Sequence, residues 1–282
     1  MNEAELATRL RAERYFADEG LLTAVYLALT LGRPLLLEGE PGVGKTELAA
    51  VLARVLDREL VRLQCYEGLD AGQALYEWDY PKQLLHLRAG DVDTRAGVGD
   101  VYGEEFLLER PLLRSLRQPT VLLVDEVDRA DSEFEAFLLE FLGDFQLTVP
   151  ELGTIRATEP PVVVLTSNRT RELHDALKRR CLYHWIPFPG PERERAIVRA
   201  HVPSIEEDAA DVLVRAVSGT RRLDLLKRPG IAESVEWARG AAVLAANGEP
   251  WPVALRRALG LLIKDEEDTA VVHAHLEELI AP

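Results

Sequence analysis

The segment GEPGVGKT (39–46) constrains this chain more than any other. It matches the spacing G-x-x-x-x-G-K-[ST], it directly follows the apolar run PLLLEG (34–39), and helical spacing begins at its end, over 46–56. Glycines at these positions allow consecutive backbone N–H groups to point at phosphate oxygens, and the following helix adds a favourable dipole. The segment therefore predicts a loop that binds the phosphates of a nucleotide.

Each residue type in this loop suits one part of a nucleotide. Lys45 is predicted to bring a positive charge to the β- and γ-phosphates, and Thr46 to offer its hydroxyl to Mg²⁺. ATP and Mg²⁺ are therefore the predicted cofactors. The alternative is a glycine loop with an ordinary surface lysine. The predicted nucleotide-binding residues are Gly39, Glu40, Pro41, Gly42, Val43, Gly44, Lys45, Thr46 and, from a later strand, Asp125.

An acidic pair ends a second apolar run, TVLLVDE (120–126). Ligands of open α/β sheets bind at the carboxyl ends of the strands, which is where this pair is expected. Asp125 is predicted to hold Mg²⁺, through water, together with Thr46. Glu126 is predicted to orient and polarise the attacking water, because hydrolysis needs a carboxylate beyond the one that serves the metal. A merely solvated acidic pair is the alternative.

The apolar pattern changes along the chain and predicts two domains. Short apolar runs alternate with amphipathic stretches from 21 to 167, which is typical of a parallel sheet covered by helices. Buried strands are predicted at 34–39, 60–65, 120–126, 161–167 and 182–188. After PFPGP (187–191), helical patterns follow one another at 192–201, from 204 onward, and at 231–246, 252–263 and 267–280. We predict an α/β domain over 1–189 and a helical domain over 190–282.

Two helix starts carry the signature of a capping box. Ser132 is followed three residues later by Glu135, and Ser204 by Glu207. The first of these helices is predicted to end at Gly143.

Charge and hydropathy exclude several classes of protein. The net charge of −15 disfavours binding to nucleic acid or to an anionic membrane surface. No window approaches 18 consecutive apolar residues, so membrane insertion is not expected, and the first 16 residues lack the apolar run of a signal peptide. These features predict a cytoplasmic protein.

Four side chains that often bind metals lack the spacing to do so. Cys65 and Cys181 lie in predicted strands, far apart in the chain, and are expected to be reduced. His273 and His275 lie two apart on a predicted helix and so do not share a face. We expect both histidines to be surface residues.

The two motifs, with TSN (166–168) ending the next predicted strand, resemble those of the AAA+ ATPases. The resemblance implies a P-loop NTPase fold, with a three-layer αβα domain around a parallel sheet and a C-terminal helical lid. It also implies that Asn168 is the first sensor, which helps to place the attacking water near the γ-phosphate. A turn-forming asparagine is the alternative.

The same resemblance gives a role to two arginines in DALKRRC (175–181). AAA+ proteins assemble into rings in which a neighbouring subunit supplies an arginine to the γ-phosphate. Arg180 aligns best with that arginine and Arg179 is the substitute, which implies a homo-oligomeric ring, expected to be a hexamer. Solvent-exposed or structural arginines are the alternative.

Three further segments resemble the MoxR branch, in particular its CoxD-like members: 64–85, 109–116 and 176–189. The resemblance spans nearly the whole chain. It implies a chaperone-like ATPase that matures a client metalloenzyme of the molybdenum hydroxylase type, alongside a partner with a von Willebrand factor A domain.

One part of the chain departs from the family pattern. Many AAA+ lids carry a second-sensor arginine at the start of a helix, whereas Ala232 falls at about that position here. Lys227 or Arg228 is the candidate replacement, one turn earlier.

Two surface features are candidates for client contact. Tyr76, Trp78 and Tyr80 alternate before a predicted helix and either face a ring pore or pack on a neighbouring surface. Residues 145–161 predict a hairpin with Gly153 at its turn.

Three functions remain open at this point. The first is a ring-forming ATPase that remodels a client protein. The second, motivated by the absent second-sensor arginine, is a nucleotide-gated switch that holds a partner and hydrolyses ATP incidentally. The third is a DNA-directed AAA+ motor, which the acidic net charge disfavours.

Overall fold

The computed structural model describes residues 1–90, 102–149 and 152–280. In these ranges the strands are β1 (Leu35–Gly39), β2 (Glu59–Gln64), β3 (Tyr76–Trp78), β4 (Leu107–Glu109), β5 (Thr120–Asp125), β6 (Gln146–Val149), β7 (Gly153–Arg156), β8 (Val162–Ser167) and β9 (Leu182–Ile186). The α-helices are α1 (Glu3–Ala12), α2 (Glu19–Leu31), α3 (Lys45–Leu56), α4 (Ala71–Leu75), α5 (Tyr80–Gly90), α6 (Pro111–Arg117), α7 (Ser132–Asp144), α8 (Asp175–Arg180), α9 (Pro191–His201), α10 (Glu207–Thr220), α11 (Ile231–Ala246), α12 (Trp251–Arg257) and α13 (Glu266–Leu279). Within the same ranges, no helix combines the length and apolar character needed to cross a bilayer.

Across the described ranges, five strands form the main sheet, in the order β2-β5-β8-β1-β9. All five coincide with the predicted buried strands. The pairs β2/β5, β5/β8 and β8/β1 are parallel, so their carboxyl ends share one edge of the sheet. The register places Asp125 opposite Gln64 and Val124 opposite Leu165. Polar residues that follow buried strands are thereby brought side by side.

The chain divides into two compact units, each with its own core. The first comprises residues 1–3, 19–38 and 46–185, and its core packs around the buried faces of β5 and β8. The second comprises residues 4–18, 39–45 and those from 186 onward, and its core is helical and centred on Trp237, which is fully buried. The division at 186 lies close to the proposed boundary at 189/190, but two earlier segments also belong to the second unit. The domain limits 1–189 and 190–282 stay a prediction.

Neither predicted capping box forms. Asp131 caps α7 instead, because its carboxylate accepts from the Phe134 N–H at 2.9 Å. Glu135 is fully buried and accepts from the His174 N–H at 2.9 Å, so a tertiary partner takes the side chain that the motif reserved for the cap. In α10 the N-cap is Glu206, which makes no side-chain cap hydrogen bond.

Two helix ends also differ from the sequence prediction. Gly143 does not end α7, which continues to Asp144 and closes with Phe145 in the left-handed region at φ 46°. The predicted helix over 252–263 breaks at Arg257 and continues as a 3₁₀ turn, Leu259–Leu261. The buried Trp237 indole donates to the Leu255 carbonyl at 2.9 Å and occupies an acceptor that a continuous helix would use.

Candidate functional site

Asp125 lies at the carboxyl end of the fully buried strand β5 and is itself 3% exposed. Its Oδ1 accepts from the Thr46 hydroxyl at 2.9 Å and from the Thr166 hydroxyl at 2.6 Å. Carboxylate and hydroxyl oxygens are the ligands that Mg²⁺ prefers, and Mg²⁺ commonly uses one or two carboxylates beside substrate phosphates. The residues present therefore fit the predicted metal, and the assignment of Thr46 and Asp125 as its ligands stays a prediction.

Glu126 directly follows β5 and has an unusual backbone conformation and a fixed side chain. Its backbone is left-handed, at φ 55° and ψ 49°, a conformation that costs a non-glycine residue about 1–3 kcal/mol. The Glu126 N–H donates to the Thr166 hydroxyl at 2.9 Å, which holds this backbone in place. Its carboxylate accepts from Gln64 and Asn168, at 3.1 Å each, and pairs with the Arg129 guanidinium at 3.1 Å. Three donors thus fix the orientation of the predicted water-polarising group.

Asn168 is held against Glu126 by a buried aspartate that the sequence prediction missed. Asp128 is 2% exposed and accepts from the Asn168 N–H at 3.2 Å. Its other oxygen accepts from the Thr170 N–H at 2.8 Å and the Thr170 hydroxyl at 2.7 Å. Asp128 therefore ties the turn after β5 to the turn after β8, and so sets the position of the Asn168 amide.

Further residues complete this edge of the sheet. Gln64 and Thr166 lie at the carboxyl ends of β2 and β8, so strand register was a signal that could have found them. Arg62 had no such signal, because its role depends on an ion pair with Asp125 at 2.6 Å. We call Asp125, Glu126, Asp128, Thr166 and Asn168 the carboxylate edge.

Cys65 follows β2 and reports the electrostatics of this region. Burial raises the pKa of its thiol to about 12, with added contributions from the charges of Asp125, Asp128 and Glu126. Burial likewise raises the pKa of Cys181 to about 12. Both thiols are therefore protonated at neutral pH, which disfavours a role as nucleophile or metal ligand.

The glycine loop, residues 39–45, closes around the Lys45 ammonium. Lys45 is 6% exposed, and its Nζ donates to the carbonyl oxygens of Gly39 at 2.7 Å and Glu40 at 2.9 Å. Gly42 and Gly44 have φ values of 75° and 93°, which favour glycine. A buried cation in a loop of this backbone shape fits the phosphates of a nucleotide. Lys45 is followed in the chain by Thr46, one of the candidate metal ligands.

The start of α11 contacts the glycine loop through backbone atoms. The Ile231 N–H donates to the Gly42 carbonyl at 2.9 Å, and the Gly230 N–H donates to the Glu233 carboxylate at 2.9 Å. A Cβ on Gly42 would lie 2.9 Å from the Glu233 Oε2 and 3.1 Å from the Gly230 Cα, so this approach requires glycine. The side chain that lies against the glycine loop here is thus that of Glu233, an acidic residue, and not that of an arginine or lysine.

The predicted substitutes for a second-sensor arginine are exposed. Lys227 and Arg228 precede α11, and the buried Asp268 carboxylate accepts from the backbone N–H groups of Leu226 and Lys227 at 2.8 and 2.9 Å. Ala232 is exposed in the first turn of α11. A role for Lys227 or Arg228 at the phosphates stays a prediction.

An ion pair in the second unit fixes the segment that leads into α11. The Arg221 guanidinium pairs with both oxygens of Glu194, at 2.7 and 2.8 Å, and also donates to the Pro229 carbonyl at 2.8 Å. Glu194 is fully buried and accepts from the Ser234 hydroxyl at 2.8 Å. This arginine is therefore committed to the structure of the helical region.

Arg179 and Arg180 end α8 and are both exposed. The Arg33 guanidinium donates to their backbone carbonyls, at 2.8 and 3.1 Å, which fixes the end of this short helix. The Arg180 guanidinium lies directly over Gly143, where a Cβ would overlap it. Within the described residues neither arginine forms an ion pair, and neither is hydrogen-bonded to the carboxylate edge. Arg180 is thus an exposed arginine whose guanidinium lies over Gly143 and has no ion-pair partner among the described residues.

The candidate client-contact features have different environments. Trp78 is 8% exposed and packs edge-on against Tyr76 and Tyr102, with ring centroids 6.1 and 5.3 Å apart. Tyr80 is exposed at the start of α5. The packing alternative therefore describes Tyr76 and Trp78, and only Tyr80 presents its ring to solvent.

The predicted hairpin is present as β6 paired with β7. Gly153 is the first residue of β7, at φ 82°, and pairs with Val149. Residues 150 and 151 of the predicted hairpin lie outside the described residues. The exposed histidines His273 and His275 lie on α13, and among the described residues no group of three or more His, Cys, Asp or Glu side chains could hold a metal ion.

Comparison with known proteins identifies the family of this chain. Residues 34–181, a little more than half of the chain, match the profile of the AAA domain (dynein-related subfamily). The chain is 27% identical to the uncharacterized protein YehL of Escherichia coli, over 90% of this chain and 76% of that protein. It is 29% identical to the gas vesicle ATPase GvpN of Haloferax mediterranei, over 78% of this chain and 63% of that protein, so it spans less than two thirds of that relative.

Solved structures show the same fold. The RuvB Holliday junction branch migration motor of Thermotoga maritima superimposes with a TM-score of 0.53 at 17% identity, covering 91% of this chain and 73% of that one. At this identity the similarity concerns the fold alone.

Proposed function

The chain belongs to the AAA domain family, in its dynein-related, MoxR-like subfamily, and is an ATPase; from this premise we propose that it is a ring-forming chaperone that couples ATP hydrolysis to the remodelling of a client protein. The observation that carries the proposal is the carboxylate edge. There the Glu126 carboxylate meets the Asn168 amide at 3.1 Å, beside an Asp125 already bonded to the Thr46 hydroxyl at 2.9 Å.

Each residue has one role in the proposed reaction. The glycine loop and Lys45 bind the β- and γ-phosphates, and Thr46 and Asp125 hold Mg²⁺, which supplies neutralisation of the phosphate charge when bound. Glu126 polarises the water that attacks the γ-phosphate, and Asn168 orients Glu126 and that water. Three donors of the chain itself hold Glu126, so its orientation does not depend on a contact with the nucleotide.

Arg180 supplies the last cation, to the nucleotide of the neighbouring subunit, with Arg179 as the substitute. The exposure of Arg180 and its lack of an ion-pair partner within the described residues support this role. A trans arginine contributes on the order of 10³–10⁵ in rate in GTPase systems. We expect a smaller contribution here, on the order of 10²-fold.

The shared site is tested by specific ATPase activity as a function of protein concentration. Activity per subunit should rise as the ring assembles, and a flat curve for a monodisperse monomer would contradict the proposal. Mixing a Lys45→Ala variant with an Arg180→Ala variant should restore part of the activity, since some interfaces then combine an intact loop with an intact arginine. If the two variants co-assemble by native mass spectrometry and no ratio restores activity, the trans role of Arg180 is wrong.

The proposed client is a metalloenzyme of the molybdenum hydroxylase type, with a von Willebrand factor A domain protein as adaptor in the cytoplasm. The CoxD-like segments 64–85, 109–116 and 176–189 support this finer assignment. Addition of the apo-hydroxylase together with the adaptor should stimulate ATP turnover, whereas the mature hydroxylase should not. Equal turnover with both forms would separate this ATPase from hydroxylase maturation.

A nucleotide-gated binding switch is the second candidate, and the start of α11 favours it. Glu233, and not an arginine, lies against Gly42, so the cation that many lids use to sense the γ-phosphate has no counterpart at this contact. Stoichiometric partner capture that depends on the nucleotide, without client-stimulated turnover, would favour the switch. Stimulation by DNA would instead favour a nucleic-acid motor, which the net charge of −15 opposes.

A further inference from the structure

Arg62 occupies an oxygen of the carboxylate that is proposed to bind Mg²⁺. The Arg62 Nη2 lies 2.6 Å from the Asp125 Oδ2, and the same nitrogen lies 2.6 Å from the Gln64 Oε1. The Arg62 side chain is 54% exposed, whereas that of Asp125 is 4% exposed. One partner of this pair is therefore buried and fixed, and the other extends from the edge strand β2 into solvent.

Both oxygens of Asp125 are engaged in this arrangement. The Oδ1 accepts from the hydroxyls of Thr46 and Thr166, and the Oδ2 accepts from Arg62. A carboxylate buried to this degree is costly to leave without a cation, and neutral hydroxyls do not balance its charge. Arg62 supplies a positive charge that balances Asp125 in this arrangement.

We propose that Arg62 is a resident counter-ion of Asp125 that is displaced by the divalent cation accompanying the nucleotide, and that it thereby weakens metal binding to the nucleotide-free protein. The inference rests on the proposed function, because it assumes that Asp125 is a metal ligand. An Mg²⁺ ion held by the Asp125 carboxylate, through water and beside Thr46, would lie close to the Arg62 guanidinium, and two cations held by one buried carboxylate repel each other strongly. Arg62 is the one that can leave, since its exposed guanidinium regains water on departure.

The arrangement has a consequence for the order of binding. A divalent ion alone must displace Arg62 with only the charge of Asp125 in its favour. An ion that arrives with a nucleotide also has the phosphate oxygens as ligands, so its binding offsets the loss of the arginine contact. Arg62 therefore makes the site selective for the metal–nucleotide complex over the free metal.

The test is binding of Mn²⁺, a paramagnetic substitute for Mg²⁺, measured by electron paramagnetic resonance with full-length protein. In the absence of nucleotide, Arg62→Ala should bind Mn²⁺ about tenfold more tightly than the unmodified chain, and Arg62→Lys should lie between the two. Arg114→Ala is the matched control. Arg114, like Arg62, is an exposed arginine, at 52%, and it pairs with Glu59, which lies on the same strand, β2, as Arg62. It should leave the Mn²⁺ affinity unchanged.

The outcomes separate this inference from the proposed function. Unchanged or weaker Mn²⁺ binding by both Arg62 variants, with both folded by circular dichroism, would overturn the counter-ion role. A large loss of metal-free ATP affinity in Arg62→Ala would overturn it too, since Arg62 would then be a phosphate ligand. Two other outcomes would contradict the proposed site itself. The first is that the unmodified chain binds no ATP, and no Mn²⁺ when ADP is present. The second is that Asp125→Asn binds Mn²⁺ in the presence of ADP as tightly as the unmodified chain does.

Discussion

The carboxylate edge and the contact between the glycine loop and α11 are built by different means. The first depends on side chains: the carboxylates of Asp125, Asp128 and Glu126 accept from hydroxyl, backbone and amide donors that lie about 40 residues away in the chain. The second depends on backbone atoms brought together by glycines, at Gly42 and Gly230. Charge and hydrogen-bonding chemistry therefore control the first region, whereas the volume of a single Cβ controls the second.

The largest effect is expected where the chemistry of the first region is changed without its shape. Glu126→Gln keeps the length of the side chain but removes the charge that polarises water. We expect kcat for ATP hydrolysis to fall about 10²–10³-fold, within the range of general-base contributions, with ATP affinity changed less than about threefold. Glu133→Gln, on the exposed first turn of α7, is the control. Retention of most activity in Glu126→Gln would remove Glu126 from the reaction.

A smaller effect is expected when only the support of Asn168 is changed. Asp128→Asn places an amide N–H₂ group against one of the donors from Asn168 and Thr170. A buried mismatch of this kind costs about 1–3 kcal/mol, so we expect kcat to fall about 10–30-fold with KM for ATP nearly constant. Steady-state kinetics measure this split, and the exposed Asp144→Asn serves as the control. A rise in KM with constant kcat would show that Asp128 supports nucleotide binding instead.

The second region should respond to volume. In Gly230→Ala the new Cβ would lie 2.7 Å from the Gly42 Cα, so the start of α11 and the glycine loop must separate. Overpacking of this kind typically costs about 1–3 kcal/mol, and we expect the affinity for a fluorescent ADP analogue to fall about tenfold. Gly260→Ala is the matched control, because a Cβ there meets nothing within 4 Å. Equal affinities for both variants would make the backbone contact irrelevant to nucleotide binding.

The smallest effect concerns the thiol beside the carboxylate edge. The folded chain holds the pKa of Cys65 at about 12, above the value of about 8.5 for an unfolded thiol, so folding favours the protonated form. This contribution to stability is complete below about pH 8.5 and is lost as the pH rises toward 12. As the pH rises from about 8 to about 10, the unmodified chain should lose about 1–2 kcal/mol of unfolding free energy more than Cys65→Ala loses, because the variant lacks this thiol.

Urea denaturation at the two pH values measures this difference. Cys181→Ala should show a similar difference, because burial raises the pKa of that thiol as well, without neighbouring carboxylates. Identical pH dependence in the unmodified chain and both variants would mean that neither thiol is shielded from solvent as described.

Strand positions and helix ends differ in how far the chain itself predicts them. All five strands of the main sheet were predicted, because a fully buried strand requires an unbroken apolar run that is visible without any partner. Both predicted capping boxes are wrong. At α7, neighbouring acceptors compete for the same backbone N–H groups: Asp131 accepts from the Phe134 N–H, and Glu135 accepts from the His174 N–H instead of from the helix start. A short motif contains no information about such distant competitors.

The candidate site likewise contains some features that the sequence predicts and others that depend on distant residues. The glycine loop and the acidic pair at the end of β5 are predictable from the amino-acid order, because both are contiguous in the chain and their chemistry depends on local spacing. Three contacts emerge from the folded chain alone: Asp128 positions Asn168, Arg62 balances Asp125, and Glu233 lies against Gly42. These contacts join residues that lie 40 or more positions apart, and the last of them also depends on a close approach of two backbone segments. Long-range contacts of this kind are fixed by how strands and helices pack, and the one-dimensional pattern carries no record of them.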